Sequence, residues 1–178
     1  ITLSESSVAL DIGASTGGFT DCLLQEGAGK VYAIDVGQGQ LAWKLRQDER
    51  VVVMERLNAR FLDRSHFDVE FCGADLIAVD CSFISLRLIL PPLIPFLKPG
   101  GRIVALIKPQ FEAGKGEVAR GKGVISNPEI HQRVLEELEE FCKTLPGIRW
   151  GRVVESPLLG PAGNKEFLVC LDMEKGSN

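Results

Sequence analysis

Short apolar runs alternate with amphipathic segments along most of this 178-residue chain. The apolar runs predict strands at about 8–12, 31–35, 51–54, 75–80 and 102–107, and the amphipathic segments predict helices at about 38–47 and 84–97. Regular alternation of this kind is typical of parallel strands joined by right-handed crossovers. The pattern therefore predicts an α/β sheet with helices on its faces.

The last third of the chain follows a different pattern. Asn127 and Pro128 suit the N-cap and the first turn of a helix that extends to about residue 144. Two apolar runs follow at about 149–154 and 166–171, joined by a segment rich in proline and glycine. These runs predict a terminal hairpin, and so an antiparallel end on an otherwise parallel sheet.

The first strand leads into a loop with three glycines, in the stretch Asp11-Ile-Gly-Ala-Ser-Thr-Gly-Gly-Phe19. A short helical pattern follows, and the second strand then ends on Asp35. Glycines let a backbone approach a ligand without a Cβ in the way, and a carboxylate at that strand end can accept hydrogen bonds from both ribose hydroxyls. The unit predicts a site for a nucleoside-bearing cofactor.

This loop lacks the marks of a phosphate site. Ser15 stands where dinucleotide sites have their second glycine, and no Lys-Ser/Thr pair follows. S-adenosylmethionine has a ribose but no phosphate, so it fits the loop better than NAD does. The candidate cofactor-binding residues are Asp11, Gly13, Ser15, Thr16, Gly17, Gly18, Phe19, Asp35, Asn58 and Asp80.

Gly13 to Gly17 also match the G-x-S-x-G pattern of a hydrolase nucleophile, with Ser15 at its centre. In that fold several strands precede the serine, and the catalytic histidine comes late in the chain. Only twelve residues precede Gly13, and the two histidines are His66, in a polar loop, and His131, near the start of a helix. A serine hydrolase is therefore the weaker of the two interpretations.

Charged side chains follow the predicted strands at their carboxyl ends, where open α/β sheets bind ligands. Asp80 follows the fourth strand, Lys108 follows the fifth, and Glu166 opens the last one, whose antiparallel course would bring its start to the same edge. A lysine held by carboxylates beside a methyl donor can polarise or deprotonate an attacking hydroxyl. These three candidate catalytic residues predict methyl transfer to a hydroxyl oxygen, such as a ribose 2′-OH.

Composition narrows the class of protein. A hydrophobic content of 45% is enough for one domain with a full core, and the sequence shows neither an export signal nor an apolar run of about 18 residues. The five cysteines are odd in number and lack C-x-x-C spacing, so we expect neither a metal site nor a disulfide framework. We expect a cytoplasmic protein that binds no membrane and no metal, and the sequence leaves its oligomeric state open.

Six motifs follow one another along the chain: Asp11-Ile-Gly-Ala-Ser-Thr-Gly-Gly-Phe-Thr-Asp21, Tyr32-Ala-Ile-Asp-Val-Gly37, Gln40-Leu-Ala-Trp-Lys-Leu-Arg46, Asp80-Cys-Ser-Phe-Ile-Ser85, Lys108-Pro-Gln-Phe-Glu112 and Gly160-Pro-Ala-Gly-Asn164. Together they closely resemble the TlyA family, the haemolysin A-like group of the FtsJ-type ribosomal RNA 2′-O-methyltransferases. The resemblance covers nearly the whole chain. It implies a class I methyltransferase fold with seven strands, S-adenosylmethionine as the cofactor, and ribosomal RNA or a ribosomal subunit as the substrate.

The catalytic set of that family is Lys-Asp-Lys-Glu, and the resemblance places its last three members at Asp80, Lys108 and Glu166. Its first lysine belongs to a motif upstream of the first strand, whereas the first lysine of this sequence is Lys30. The N-terminal S4-like RNA-binding domain of the family is missing as well, so residues 1–178 are expected to form the methyltransferase domain alone. A net charge of −4 fits this division, because a separate domain would then grip the phosphate backbone.

Two functions of other classes stay open. The haemolysin name of the family suggests a membrane-active protein as an alternative function. The sequence, however, offers no long apolar segment and no strongly basic amphipathic helix. The other is a non-catalytic module that binds the cofactor and RNA or ribosomes. The missing lysine favours such a module, and the intact Asp80, Lys108 and Glu166 speak against it.

Overall fold

The structure is a computed structural model that describes residues 2–176, apart from the side chain of Lys115. Seven strands of this described chain form one sheet: β1 (Val8–Ile12), β2 (Lys30–Ile34), β3 (Val51–Met54), β4 (Ala74–Val79), β5 (Leu97–Ile107), β6 (Ile148–Glu155) and β7 (Phe167–Met173). Their order across the sheet is β3-β2-β1-β4-β5-β7-β6. Strands β1 to β5 are parallel, and β7 is antiparallel to both β5 and β6. The predicted mostly parallel sheet with a terminal antiparallel hairpin is confirmed.

Helices cross between most of the strands. In the described residues they are α1 (Gly18–Gln25), α2 (Trp43–Arg46), α3 (Leu86–Leu93), α4 (Pro109–Glu112), α5 (Lys115–Arg120) and α6 (Pro128–Lys143). Short 3₁₀ turns lie at Ala59–Phe61, Arg64–His66 and Ile94–Phe96. The predicted start of α6 is confirmed, since the Asn127 side chain accepts a hydrogen bond from the Glu129 N–H at 2.9 Å.

The core lies on both faces of the sheet, because successive strand side chains point in opposite directions. On one face, residues such as Leu10 and Ile12 pack with the apolar residues of α3 and α6. On the other face, residues such as Ala9 and Val31 pack with those of α1 and α2. The central strands are therefore buried on both sides, and they hold the loops at their carboxyl ends on a rigid base.

Two predicted helices are shorter than the sequence pattern indicates. The helix expected from residue 38 begins only at Trp43, because Gly39 takes a left-handed conformation (φ +73°) and the Ala42 N–H donates to the Thr16 carbonyl at 3.1 Å. The helix expected to reach residue 97 ends at Leu93, since Pro91 and Pro92 close it.

The fifth strand is longer than the predicted 102–107. Strand β5 already begins at Leu97, which pairs with Ala74, whereas Arg102 pairs with Leu76. The residues between these pairs bulge out of the ladder, with Gly100 at φ +77°. The proline–glycine stretch is therefore a bulge inside a longer strand.

The carboxyl ends of the strands define where a ligand can lie. Strand β1 has β2 on one side and β4 on the other, so the strand order reverses there, and open α/β sheets bind ligands at such a point. Strand β7 starts at the same edge, because Phe167 pairs with Ile107 in antiparallel register. Lys108, which follows β5, and Glu166, which precedes β7, therefore lie next to each other at this edge of the sheet.

Candidate active site

The glycine loop after β1 presses against the end of β4. Gly13 has φ +83°, and a Cβ there would overlap the backbone carbonyl of Asp80. Its N–H donates to the Ile34 carbonyl of β2 at 2.8 Å, and the Ala14 N–H donates to the same oxygen at 3.1 Å. Only glycine fits this position, which draws the ends of β1, β2 and β4 together.

Asp11 lies under this loop and is fully buried. Its Oδ2 accepts a hydrogen bond from the Thr20 hydroxyl at 2.6 Å, whereas Oδ1 has no hydrogen-bond partner within the described part of the chain. Burial raises the pKa of this carboxyl to about 6, although the Thr20 hydrogen bonds oppose the shift. A buried carboxylate oxygen without a partner is costly, so a cation bound nearby would stabilise it.

Asp35 is held firmly at the end of β2. Its Oδ2 accepts a hydrogen bond from the Ser15 N–H at 2.8 Å, and its Oδ1 accepts one from the Gly37 N–H at 2.7 Å. Each carboxylate oxygen can accept a further hydrogen bond. The carboxylate is thus oriented by the backbone and keeps acceptor sites for two ribose hydroxyls.

A cleft of about 410 Å³ opens between these loops. Of the predicted cofactor-binding residues, its walls contain Gly13, Ser15, Asp35, Asn58 and Asp80. An apolar part of the wall suits a flat ring system, and its side chains come from Ile12, Ile34, Val36, Leu57, Ala59, Ile84 and Ile89. The sequence analysis missed this part of the wall. For Val36 the sequence did offer one signal, its position directly after Asp35 at the end of β2. In the structure Val36 is 68% exposed.

Five predicted cofactor-binding residues lie outside the walls of the cleft: Asp11, which is buried under the loop, and Thr16, Gly17, Gly18 and Phe19. Gly17 has φ +102°, and a Cβ there would overlap the Leu45 side chain of α2. The Thr16 carbonyl accepts the Ala42 N–H, Gly18 begins α1, and Phe19 packs on the apolar cluster under that helix. In this structure these residues fasten the loop to α1 and α2, and their contact with a cofactor stays a prediction.

The three predicted catalytic residues come together at the edge of the cleft. Lys108 Nζ lies 2.5 Å from Asp80 Oδ1, and Nζ donates a hydrogen bond to the Ser82 hydroxyl at 3.0 Å. The Lys108 side chain is only 11% exposed. Its ammonium is thus held at a defined place, with Asp80 facing it from the end of β4.

Glu166 completes the group and is 7% exposed. Burial raises the pKa of its carboxyl above the ordinary value, and the negative charge of Asp80 adds to this rise. The Lys108 cation and a hydrogen bond with the Gln110 side chain oppose the rise without cancelling it. A carboxyl in such surroundings accepts a proton more readily than an exposed one. The catalytic role of the three residues stays a prediction, but their placement suits proton handling at a hydroxyl.

Phe83 stands at the mouth of the same cleft. The residue is 90% exposed, and its backbone has φ +64°, a conformation that a bulky residue rarely takes. The ring centroid lies 5.1 Å from that of Phe111. Strained, exposed aromatic side chains beside a cleft are candidates for ligand contact, and the sequence analysis did not single this one out.

The hydrolase interpretation of Ser15 does not hold. The Ser15 hydroxyl faces Gln40 at 3.4 Å. His131 is buried with its Nε2 2.8 Å from the Ile125 carbonyl, and His66 caps a 3₁₀ turn beside Asp63. Within the described residues, neither histidine contacts the serine, so no general base activates it.

Across residues 2–176, no helix combines the length and the apolar character needed to cross a membrane. The same residues hold no group of three or more His, Cys, Asp or Glu side chains placed to ligate a metal.

Comparison with known proteins gives a consistent result. A family model described as FtsJ-like methyltransferase matches residues 2–173. YqxC of Bacillus subtilis is 50% identical over 167 residues, which cover 94% of this chain and 58% of that protein. TlyA of Mycobacterium tuberculosis, a 16S/23S rRNA (cytidine-2′-O)-methyltransferase, is 48% identical over 164 residues, which cover 91% of this chain and 59% of that protein.

A solved hemolysin-type structure from Streptococcus thermophilus superposes with a TM-score of 0.90 at 44% identity, covering 98% of this chain and 61% of that one. The chain thus spans about three fifths of the length of each of these relatives. The family model covers almost the whole chain, and the seven-stranded, mostly parallel sheet is the fold that the resemblance implies. The chain therefore belongs to the FtsJ-like methyltransferase family.

Proposed function

We propose that this chain binds S-adenosylmethionine and catalyses methyl transfer to ribose 2′-hydroxyls of ribosomal RNA. One observation carries the proposal: Lys108 is ion-paired with Asp80 and lies beside Glu166 at the edge of a cleft that suits a nucleoside. One relative at 48% identity is a ribosomal RNA 2′-O-methyltransferase, which supports the choice of substrate.

The residues of the cleft fit this cofactor. Asp35 has free acceptor sites for the ribose hydroxyls, and the apolar wall that contains Val36 and Leu57 would receive the adenine. The negative charges of Asp80 and of Asp11, whose Oδ1 has no partner among the described residues, would stabilise the positively charged methionine part of the cofactor. Bound there, S-adenosylmethionine supplies an electrophilic methyl group on a sulfonium.

The residues at the edge of the cleft would handle the attacking hydroxyl. Asp80 and Ser82 fix the direction of Lys108 Nζ, which would hold the attacking oxygen and stabilise it as its proton leaves. Glu166 lies within the same group of charges, and its raised pKa suits it to receive that proton. Positioning of the oxygen by fixed groups is itself a large part of catalysis.

The substrate would reach the cleft past Phe83. RNA-modifying sites bind unstacked bases on aromatic side chains, and the exposed ring of Phe83 is placed for such a contact. We propose ribosomal RNA, either free or in a ribosomal subunit, as the partner, and the cytoplasm as the place of action. TlyA of Mycobacterium tuberculosis is a 16S/23S rRNA (cytidine-2′-O)-methyltransferase, and the choice of cytidine in both RNAs belongs to that protein.

Affinity for RNA would come largely from outside this domain. The net charge of −4 gives the chain little general attraction for phosphates. Because the chain spans about three fifths of its relatives, we propose that the RNA-binding domain and the fourth catalytic residue, a lysine, belong to the remainder of a longer protein.

Transfer of a labelled methyl group tests the proposal. Labelled S-adenosylmethionine is incubated with ribosomal subunits and either the full-length protein or residues 1–178 alone. We expect label in ribosomal RNA with the full-length protein and far less with the domain, since loss of an acid–base partner costs about 10²–10⁴-fold in rate. Cofactor binding without any transfer by the full-length protein would instead identify a non-catalytic module.

Excess RNA separates the two expected defects of the isolated domain. A binding defect is overcome at saturating RNA, whereas a missing catalytic lysine lowers the rate at every RNA concentration. Rates equal to those of the full-length protein at modest RNA concentration would show that Asp80, Lys108 and Glu166 suffice. That result would remove the upstream lysine from the proposed mechanism.

A further inference from the structure

Asn164 is a buried polar residue in the loop that leads into β7, with 2% of its surface exposed. Its Oδ1 accepts a hydrogen bond from the Ile125 N–H at 2.9 Å, and its Nδ2 donates one to the Gly123 carbonyl at 3.0 Å. Both partners belong to the segment between α5 and α6. The amide therefore clamps the loop before β7 to a segment distant in sequence.

The far side of this clamp is itself anchored. The carbonyl of Ile125 lies 2.8 Å from Nε2 of His131, a buried residue on α6. The His131 ring packs edge-on against Phe167, the first residue of β7, with the ring centroids 5.5 Å apart. The contacts thus connect the loop before β7 to α6, and they connect α6 to Phe167, the residue that directly follows Glu166.

Gly160 lies at the other end of the same loop. Its N–H donates to the Asn164 carbonyl at 2.9 Å, and its carbonyl accepts the Gly163 N–H at 2.8 Å. A Cβ at Gly160 would lie 2.5 Å from Oε1 of Glu166. The carboxylate of Glu166 therefore rests against the bare backbone of Gly160, in a turn that Asn164 holds in place.

We propose that Asn164 and Gly160 are positioning residues that set the place of the Glu166 carboxylate relative to Lys108. They act on turnover through Glu166, and neither belongs to the walls of the cofactor cleft. The inference rests on the proposed function, because it requires Glu166 to take part in methyl transfer. A buried asparagine that only stabilises the fold would affect stability without a selective effect on the rate of the chemical step.

Gly160→Ala gives the sharper test, because its methyl group would meet only the end of a flexible side chain. The substitution should move the Glu166 carboxylate and leave the fold intact. A displacement of about 1 Å in a catalytic group can cost about 10²-fold in rate. We expect kcat to fall between about tenfold and 10²-fold, with KM for RNA and cofactor affinity unchanged. Asn164→Ala should lower kcat in the same range and also lower Tm.

Two control variants match these substitutions. Gly116→Ala adds a methyl group at a glycine in α5, where the nearest atom to the added Cβ is an Arg120 nitrogen at 3.9 Å. Asn127→Ala removes the N-cap of α6 and so lowers stability, with the clamp left in place. Both controls should keep the kcat of the wild type.

The experiment measures kcat and KM for ribosomal subunits in the longest natural chain that carries this sequence, with and without Glu166→Gln. In the Glu166→Gln background, Gly160→Ala and Asn164→Ala should cause no further loss of kcat. Equal fold losses in both backgrounds, or a wild-type kcat for Gly160→Ala, would overturn the inference alone. An absence of transfer by the wild type would overturn the proposed function and this inference with it. If Asn164→Ala does not fold, Gly160→Ala decides the matter.

Discussion

Nζ of Lys108 lies 2.5 Å from Oδ1 of Asp80, and each residue follows the carboxyl end of its own strand. The pair exists because β4 and β5 are parallel neighbours, which brings their ends to one edge of the sheet. The Lys108 side chain is almost wholly enclosed, whereas the Asp80 side chain is 35% exposed and lines the cleft. This arrangement favours a catalytic role for Lys108 over that of a solvent-exposed charge at the end of a strand.

Lys108→Ala should abolish turnover and leave cofactor affinity nearly unchanged. The ammonium would be lost from the attacking oxygen, whereas the walls of the cleft would stay in place. Lys108→Arg should not restore turnover, because the planar, larger guanidinium cannot hold the attacking oxygen at the place of the compact ammonium. Single-turnover rates and calorimetric titration with the cofactor check both parts, and substantial turnover by Lys108→Ala would remove the residue from the mechanism.

Asp35→Ala should weaken cofactor binding. Each lost charge-assisted hydrogen bond costs about 1.5–3 kcal/mol, so affinity should fall by at least about tenfold. Asp48→Ala is a matched control, because it removes a carboxylate that pairs with Arg50 and lies outside the walls of the cleft. Calorimetry with S-adenosylmethionine measures both variants. Equal affinities for Asp35→Ala and the wild type would exclude Asp35 from the site.

Asp11 should make the unliganded domain less stable as the pH rises. The unfolded carboxyl ionises near 3.8 and the folded one at about 6, so stability is complete below pH 3.8 and falls until the folded carboxyl also ionises. The shift corresponds to about 3 kcal/mol at neutral pH. Asp11→Asn should remove this loss.

Urea unfolding of the wild type and Asp11→Asn, from pH 4 to pH 7, measures the difference. The stability of Asp11→Asn relative to the wild type should increase by about 2.4 kcal/mol over this range, because part of the total change of about 3 kcal/mol falls below pH 4. Other carboxylates titrate there too, but they contribute equally to both proteins. A difference that does not vary with pH would show that Asp11 is not held in a low-dielectric site.

Phe83→Gly should separate the effect of the strained backbone on stability from the effect of the aromatic ring on RNA binding. Glycine takes a positive φ without cost, so Tm should stay the same or rise. Without the exposed ring, kcat/KM for RNA should fall, by a factor that corresponds to about 1–3 kcal/mol for one lost stacking contact. Cofactor affinity should not change. Val69→Ala, at another exposed apolar residue, is the control that should retain the kcat/KM of the wild type.

The sequence predicts much of the candidate site because its charged residues lie directly at the ends of strands. Apolar runs locate the strands, and parallel order alone brings Asp80 and Lys108 to one edge; the antiparallel course of β7 then adds Glu166. The contact of Gly17 with α2 could not be predicted, for a physical reason. Its left-handed backbone and its contact with Leu45 depend on where α2 packs, and the local pattern holds no information on that.

Other features escape the sequence for the same reason. The strained backbone of Phe83 leaves no mark in the periodicity of the segment. The clamp by Asn164 joins segments that only the folded sheet brings together. Likewise, the bulge in β5 follows from its pairing with β4, and a proline–glycine stretch by itself predicts a turn.

The position of the methyl group in the product tests the central claim most directly. Ribosomal RNA treated with the full-length protein and labelled S-adenosylmethionine is hydrolysed in alkali, which cleaves next to a free 2′-hydroxyl and leaves the linkage intact where that oxygen is methylated. We predict that the label appears in alkali-resistant dinucleotides with the wild type and is absent with Lys108→Ala. Label recovered in single nucleotides, as base methylation gives, would contradict the account.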